Sequence, residues 1–351
     1  MRQESWAHKL FINPSLHPSA AGFLPLEGCT GIGPGCPDRV HLVVAGANDM
    51  GIALGLEAAM LGHYPNFRAF PNARTRITFA GPDAGSAVER LRARFPGLFQ
   101  LARWRSGLRE WMLPQNTEHL GGDFLDFELE FLPESLDAPE VAEYLEQCAG
   151  NPHTRLTVAV CQDSAEASAA LAEKLPQSVL DAAVQVLVYQ PDRVVVPVSG
   201  DGLFRTFGTG DSGFDDTAGA VLLKAAGSME KDPGKGPVDA LANFYSAANI
   251  WTKLRSAASE DGKIPASLRD VFAWTEHNRW NTEQLLSGLR PLTRQEQEWA
   301  LEGGSVNSER KNTLKHEHGA HLDICSWERL QEIDPETVAY DYNMVDSINR
   351  I

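Results

Sequence analysis

The stretch VHLVVAGANDMGIALGLEAAMLG, Val40 to Gly62, decides the fold. An apolar strand runs into a glycine turn and then into a helix of small residues, which is how a doubly wound α/β sheet builds its ligand-binding end. A helix N-terminus presents unpaired N–H groups and the positive end of a dipole, so it attracts phosphate. The turn reads Gly46-Ala-Asn48-Asp-Met50-Gly51, a G-x-G-x-x-G fingerprint with Asn48 in place of the second glycine. That position is where the backbone comes closest to a pyrophosphate, and an asparagine side chain occupies the approach.

An acidic partner for a ribose is expected at the end of the next strand, and Asp83 in Gly81-Pro-Asp83 is the candidate. It lies about thirty residues past the turn rather than the usual ~20, a gap that the loop His63–Ala73, with Pro65 and Pro71, accounts for. Asp163 follows the apolar run Leu156–Cys161 and is either a contact at the carboxyl edge of the sheet or the N-cap of the next helix. Gly46, Asn48, Met50, Gly51, Asp83 and Asp163 are therefore the candidate site for NAD(H) or another adenine nucleotide. The competing reading is a turn kept for packing alone.

Outward from this unit, strands are expected at Val40–Ala45, Arg76–Ala80, Phe127–Phe131, Leu156–Cys161, Val184–Tyr189 and Val194–Val198. Helices are expected between several of them, at Gly85–Arg94, Ala138–Gln147 and Ser164–Leu175. Short apolar strands alternating with helices predict a doubly wound, mostly parallel, Rossmann-like sheet covered on both faces. Residues 1–39 are rich in Pro and Gly and read as a leader that wraps the first domain or stays mobile; residues 40–228 are the Rossmann-like domain. The Gly- and Asp-dense Ser199–Asp216 reads as a loop, and MEKDPGKGP, Met229 to Pro237, as a flexible break within a 229–264 connector. Beyond it, Val238–Ala258 and Ser267–Gly288 read as helices, with a short one ending the chain.

A net charge of −16 excludes a general nucleic-acid coat, because such a surface needs clustered Lys and Arg. The five cysteines show no metal-ligand spacing; Cys29 and Cys36 flank one loop, but no export signal supports a disulfide. MRQESWAHKLFINPS lacks a long apolar run, so neither a signal peptide nor a membrane anchor is expected, and the cytoplasm is the expected setting. No Tyr-x-x-x-Lys, G-x-S-x-G or H-E-x-x-H occurs. His316, His318 and His321 cluster without a ligand spacing, so no metal is expected.

In the C-terminal third, Phe272, Arg279 and Leu286 recur at seven-residue spacing, which puts Arg279 on an apolar helix face. It needs a ligand anion or a carboxylate such as Glu276 or Glu283, or it snorkels to solvent. Trp280 beside it is either a stacking surface or core. Taken in order, EHNRW, LLSGL, Lys315-His316, DICSWERL and Tyr340-Asp341-Tyr-Asn343 resemble the bacterial ryanodine-receptor-type (RyR) domain, a small and mostly helical module. The resemblance covers residues 266–351 best. It implies an order known from bacteria, a TrkA-N-like nucleotide-binding domain followed by an RyR-type domain.

What this resemblance implies is a soluble sensor whose RyR-type domain, residues 265–351, binds a small nucleotide-derived ligand in signalling or defence. Binding would then shift domain packing or oligomer state. By matching position it carries Glu276, Arg279, Trp280, Lys315, Trp327 and Asp341 over as a pocket, against plain readings of Asp341 as an N-cap and Trp327 as a core anchor. An NAD(P)-dependent oxidoreductase or nucleotide-consuming enzyme, using the acidic loop Asp201–Asp216, is the alternative; a scaffold for a partner protein is the third.

Overall fold

A computed structural model describes residues 2–191, 196–198, 202–210 and 244–350. Seven parallel strands form the central sheet: β1 (Arg39–Ala45), β2 (Thr75–Ala80), β3 (Arg103–Ser106), β4 (Phe127–Leu132), β5 (Thr154–Val160), β6 (Ala183–Tyr189) and β7 (Phe204–Phe207). Their order is β3-β4-β2-β1-β5-β6-β7, so the chain builds one wing from β1, returns, and builds the other from β5. The reversal falls between β1 and β5, where α/β sheets open a crevice at their carboxyl ends. Strand β1 is buried along nearly its whole length, as the middle of a parallel sheet must be, and its sequence is correspondingly a near-continuous apolar run.

Helices cover both faces. On one lie α1 (Arg2–Phe11), α2 (Asp49–Leu61), α3 (Ala84–Arg94) and α4 (Pro96–Leu101); on the other lie α5 (Pro139–Ala149), α6 (Ala165–Ala172) and α7 (Gln177–Ala182). The fold is thus an α/β Rossmann-like sheet followed by a helical part. Helix α2 sits so close to the sheet that a Cβ on Gly55 would come within 2.1 Å of the Phe79 ring. Phe79 in turn stacks on Phe131 with ring centres 5.3 Å apart. Charged residues inside β2 and β4 are cross-strand rungs: Arg76 pairs with Glu128, and Thr78 donates to Glu130 at 2.7 Å.

Residues 244–350 are mostly helical, with helices at Phe244–Ala248, Ile250–Ser256, Arg269–Leu286, Arg294–Ala300, Ser308–His318, Trp327–Ile333 and Val338–Ile348. One apolar core runs without interruption from Leu42 and Phe79 in the sheet to Phe272, Leu322 and Leu330 in this helical part. The first forty residues share in it. Trp6, Leu10 and Phe11 of α1 are buried, and Arg255 donates to Glu27 (2.7 Å) and to the carbonyls of Asn13 and Ser15.

The strands of the central sheet differ from the sequence reading in three places, and the helix read at Val238–Ala258 is, in its described part, two helices, Phe244–Ala248 and Ile250–Ser256. Strand β3, RWRS, is a half-exposed edge whose arginines hid it, and β7 falls inside the segment read as the loop Ser199–Asp216. The Val194–Val198 strand lies partly outside the described residues, and its described part, 196–198, is not a strand. The Met229–Pro237 break and residues 238–243 lie outside the described residues, as does the acidic loop Asp201–Asp216 apart from 202–210. The cysteines are free thiols. Among the described residues no helix is long and apolar enough to cross a membrane.

Candidate functional site

The switch-point crevice is built as the turn sequence requires. Gly46 adopts φ +109°, and a Cβ there would stand 2.0 Å from the Cys161 carbonyl oxygen. A Cβ on Gly51 would meet the Gly46 carbonyl at the same distance, so both glycines are needed for packing alone. Asn48 caps α2: its Oδ1 accepts from Gly51 N–H at 3.0 Å, while its Nδ2 donates to Cys161 O at 2.9 Å and reaches Asp163 at 3.4 Å. One side chain thereby ties the β1–α2 turn to the end of β5.

Two adjoining depressions of about 430 and 280 Å³ share Asn48, Asp83, Gln162 and Asp163. Met50 and Arg90 line the larger, Gly46 the smaller. Asp83 stands at the N-cap position of α3 without capping it. Asp163 is exposed, and the cap of α6 is instead its neighbour Ser164, which accepts from Ala167 N–H. Five of the six crevice candidates therefore gather at one place; the sixth, Gly51, is spent on packing. The residues suit a dinucleotide pyrophosphate poorly. The Gly51 N–H is taken by Asn48, and Asp49, Asp83 and Asp163 set three carboxylates against Arg90, the one cation lining the crevice among the described residues.

Replacing Asn48 by Ala removes the cap and both cross-strand bonds. It is expected to lower unfolding stability by about 1–2 kcal/mol, read by urea denaturation.

A second and larger cavity, about 630 Å³, opens in the helical part. Its walls come from the Arg269–Leu286 helix (His277, Trp280), the Ser308–His318 helix (Lys311, Lys315) and the last helix (Tyr340, Asp341), with His321 and Asp323 between them. Trp280 is half-buried, its ring stacked on His277 (5.8 Å, 14°) and edge-on to His321 (5.1 Å). Among the described residues Lys315 makes no ion pair, whereas Lys311 is held at 2.7 Å by both Asp323 and Asp334. His277 donates through Nε2 to the Cys325 carbonyl (3.0 Å) and turns Nδ1 toward Asp341 (3.4 Å). Burial, then Lys315 and Lys311, push the His321 imidazole down to about 3, so it is neutral.

Of the six residues carried over from the RyR resemblance, Trp280, Lys315 and Asp341 meet in this cavity. Asp341 lies in the first turn of the last helix, not at its N-cap, which is Thr337. The other three do not line it. Glu276 and Arg279 are fully buried and paired: Glu276 bonds Lys253 (2.7 Å), Arg279 (2.8 Å) and Ser246 (2.8 Å), and Arg279 also bonds Glu283 (2.7 Å). Burial raises the Glu276 carboxyl, but Arg279 and Lys253 outweigh it and hold it well below the usual carboxylate range. Trp327 is core, packed edge-on to Tyr342 and against His277.

Sequence reading missed His277, Lys311, His321 and Asp323 as site residues. Two signals were present: His277 and Trp280 are three apart on one helix, and Lys311 and Lys315 four apart on another, so each pair shares a face. His316 and His318 end the Ser308–His318 helix as exposed side chains, and no metal-ligand cluster occurs among the described residues. Comparison with protein-family models, with curated proteins and with solved structures gives no match for this chain.

Proposed function

We propose that this chain is a regulatory binding protein whose ligand, a nucleotide-derived small molecule, occupies the cavity between Trp280 and Lys315. One observation carries the reading. A half-buried indole, a lysine without an ion-pair partner among the described residues and several polar groups converge on a concavity of about 630 Å³, a size suited to small-molecule sites. A flat base stacks on an indole, and an ammonium meets phosphate. The likeness of residues 266–351 to RyR-type domains suggests the same class of ligand. The switch-point crevice supports this role less well, since its carboxylates oppose an anion.

Titration of the full chain with AMP, ADP-ribose and NAD, followed by calorimetry, tests the proposal. Saturable binding of at least one is expected, and Trp280→Ala should weaken it about tenfold or more, the worth of one stacked base. Absence of heat with all three, from protein shown to be folded, would sink the reading. So would affinity indifferent to both Trp280→Ala and Lys315→Gln.

A further inference from the structure

Asp323 is 3% exposed, lines the cavity just described, and uses only half of its carboxylate. Its Oδ2 accepts from Lys311 at 2.7 Å, whereas Oδ1 has no hydrogen-bond partner among the described residues. A buried acceptor left unpaired costs more than a typical hydrogen bond gains, so such an atom points to something that completes it. Beside it, His321 is fixed as a donor. Its Nδ1 accepts the Asp323 backbone N–H at 3.2 Å, which leaves the ring proton on Nε2.

The charges set the direction in which a ligand enters. The inner cation, Lys311, is already neutralised by Asp323 and Asp334, so the floor carries no spare positive charge for a phosphate. Lys315, half-buried and without an ion-pair partner among the described residues, stands beside exposed Ser308, Asn312 and Tyr340 at the mouth. A dianion stays where water and Lys315 solvate it, because burying it against carboxylates is costly. The flat part of the ligand then lies inward, on Trp280 and next to His321 and Asp323.

We infer that this site selects an amino-bearing base, whose exocyclic N–H is accepted by Asp323 Oδ1 while the phosphate remains at the mouth with Lys315. The inference rests on the nucleotide reading above and adds the ligand's orientation and the residue that discriminates. Asp323 is then a specificity-determining residue, and His321 a second polar contact at the inner end.

The experiment compares AMP with purine riboside 5′-monophosphate, which lacks only the 6-amino group, by calorimetry on the full chain. The analogue is expected to bind about ten- to hundredfold more weakly, because it leaves the buried carboxylate oxygen unpaired. Asp323→Leu should lower AMP affinity to that of the analogue, while Lys311 keeps Asp334; a melting curve confirms the fold. Lys315→Gln should weaken both ligands by the same factor. Equal binding of the two nucleotides to the unmodified chain overturns the inference and leaves the nucleotide reading standing. Binding of neither overturns the inference, and absence of heat with ADP-ribose and NAD as well overturns the nucleotide reading; the wild-type comparison is decisive even if Asp323→Leu does not fold.

Discussion

Glu276→Gln is expected to lower unfolding stability by about 3–5 kcal/mol, the cost of leaving a buried cation without its counter-charge. Lys253 is the group stranded: it is 3% exposed and Glu276 is its ion-pair partner. Arg279 suffers less, because Glu283 remains. Denaturant unfolding at neutral pH measures the loss, and adding Lys253→Met should recover more than half of it.

The pH dependence has a definite sign. The folded-state carboxyl of Glu276 titrates below its ordinary value of 4.5, so the stabilisation is complete above that pH. It declines only as pH falls below 4.5 toward the folded-state value. The gap between wild type and Glu276→Gln should therefore be constant from pH 5 to 7 and narrow under acid. A gap that widened on acidification would contradict the ion-pair account.

Gly46→Ala is the second large effect, about 2–6 kcal/mol. A side chain there meets both a left-handed backbone, φ +109°, and the Cys161 carbonyl at 2.0 Å. Neither can yield without parting β1 from β5. Gly85→Ala is the matched control, since it lies in α3 with open space around it and no positive φ. It should be neutral or stabilising by about 0.5–1 kcal/mol. Equal effects at the two positions would show that the turn is not the constraint described.

Legibility in the sequence followed how local each interaction is. Strand β1 and the Gly46–Gly51 turn were plain, because a strand buried on both faces must be apolar and a tight turn must use glycine. Arg279 was half legible: Glu276 and Glu283 stand three and four residues away, but nothing marked Lys253, twenty-three residues upstream, as sharing Glu276. Strand β3 was hidden because an edge needs no apolar run; its backbone pairs with β4 on one side and, among the described residues, only through a bridge from Trp104 to Met112 on the other. Asp323 was hidden for the same reason as Lys253. Its importance comes from Lys311 and Asp334, which helix packing alone brings to it.

Arg255 acts as a rivet through three layers of chain. It fixes the stretch from Asn13 to Glu27, and Gly31 packs so tightly that a Cβ would stand 2.1 Å from the Arg255 carbonyl. Two positions earlier in the same helix, Lys253 grips Glu276, one turn from Trp280. Among the described residues a common core and this rivet join sheet and helices, leaving no slip plane along which the two could close like jaws. Under the proposed function, a ligand's message would be written in stiffness, or in the surface around Tyr340, and not in a swing of one half against the other.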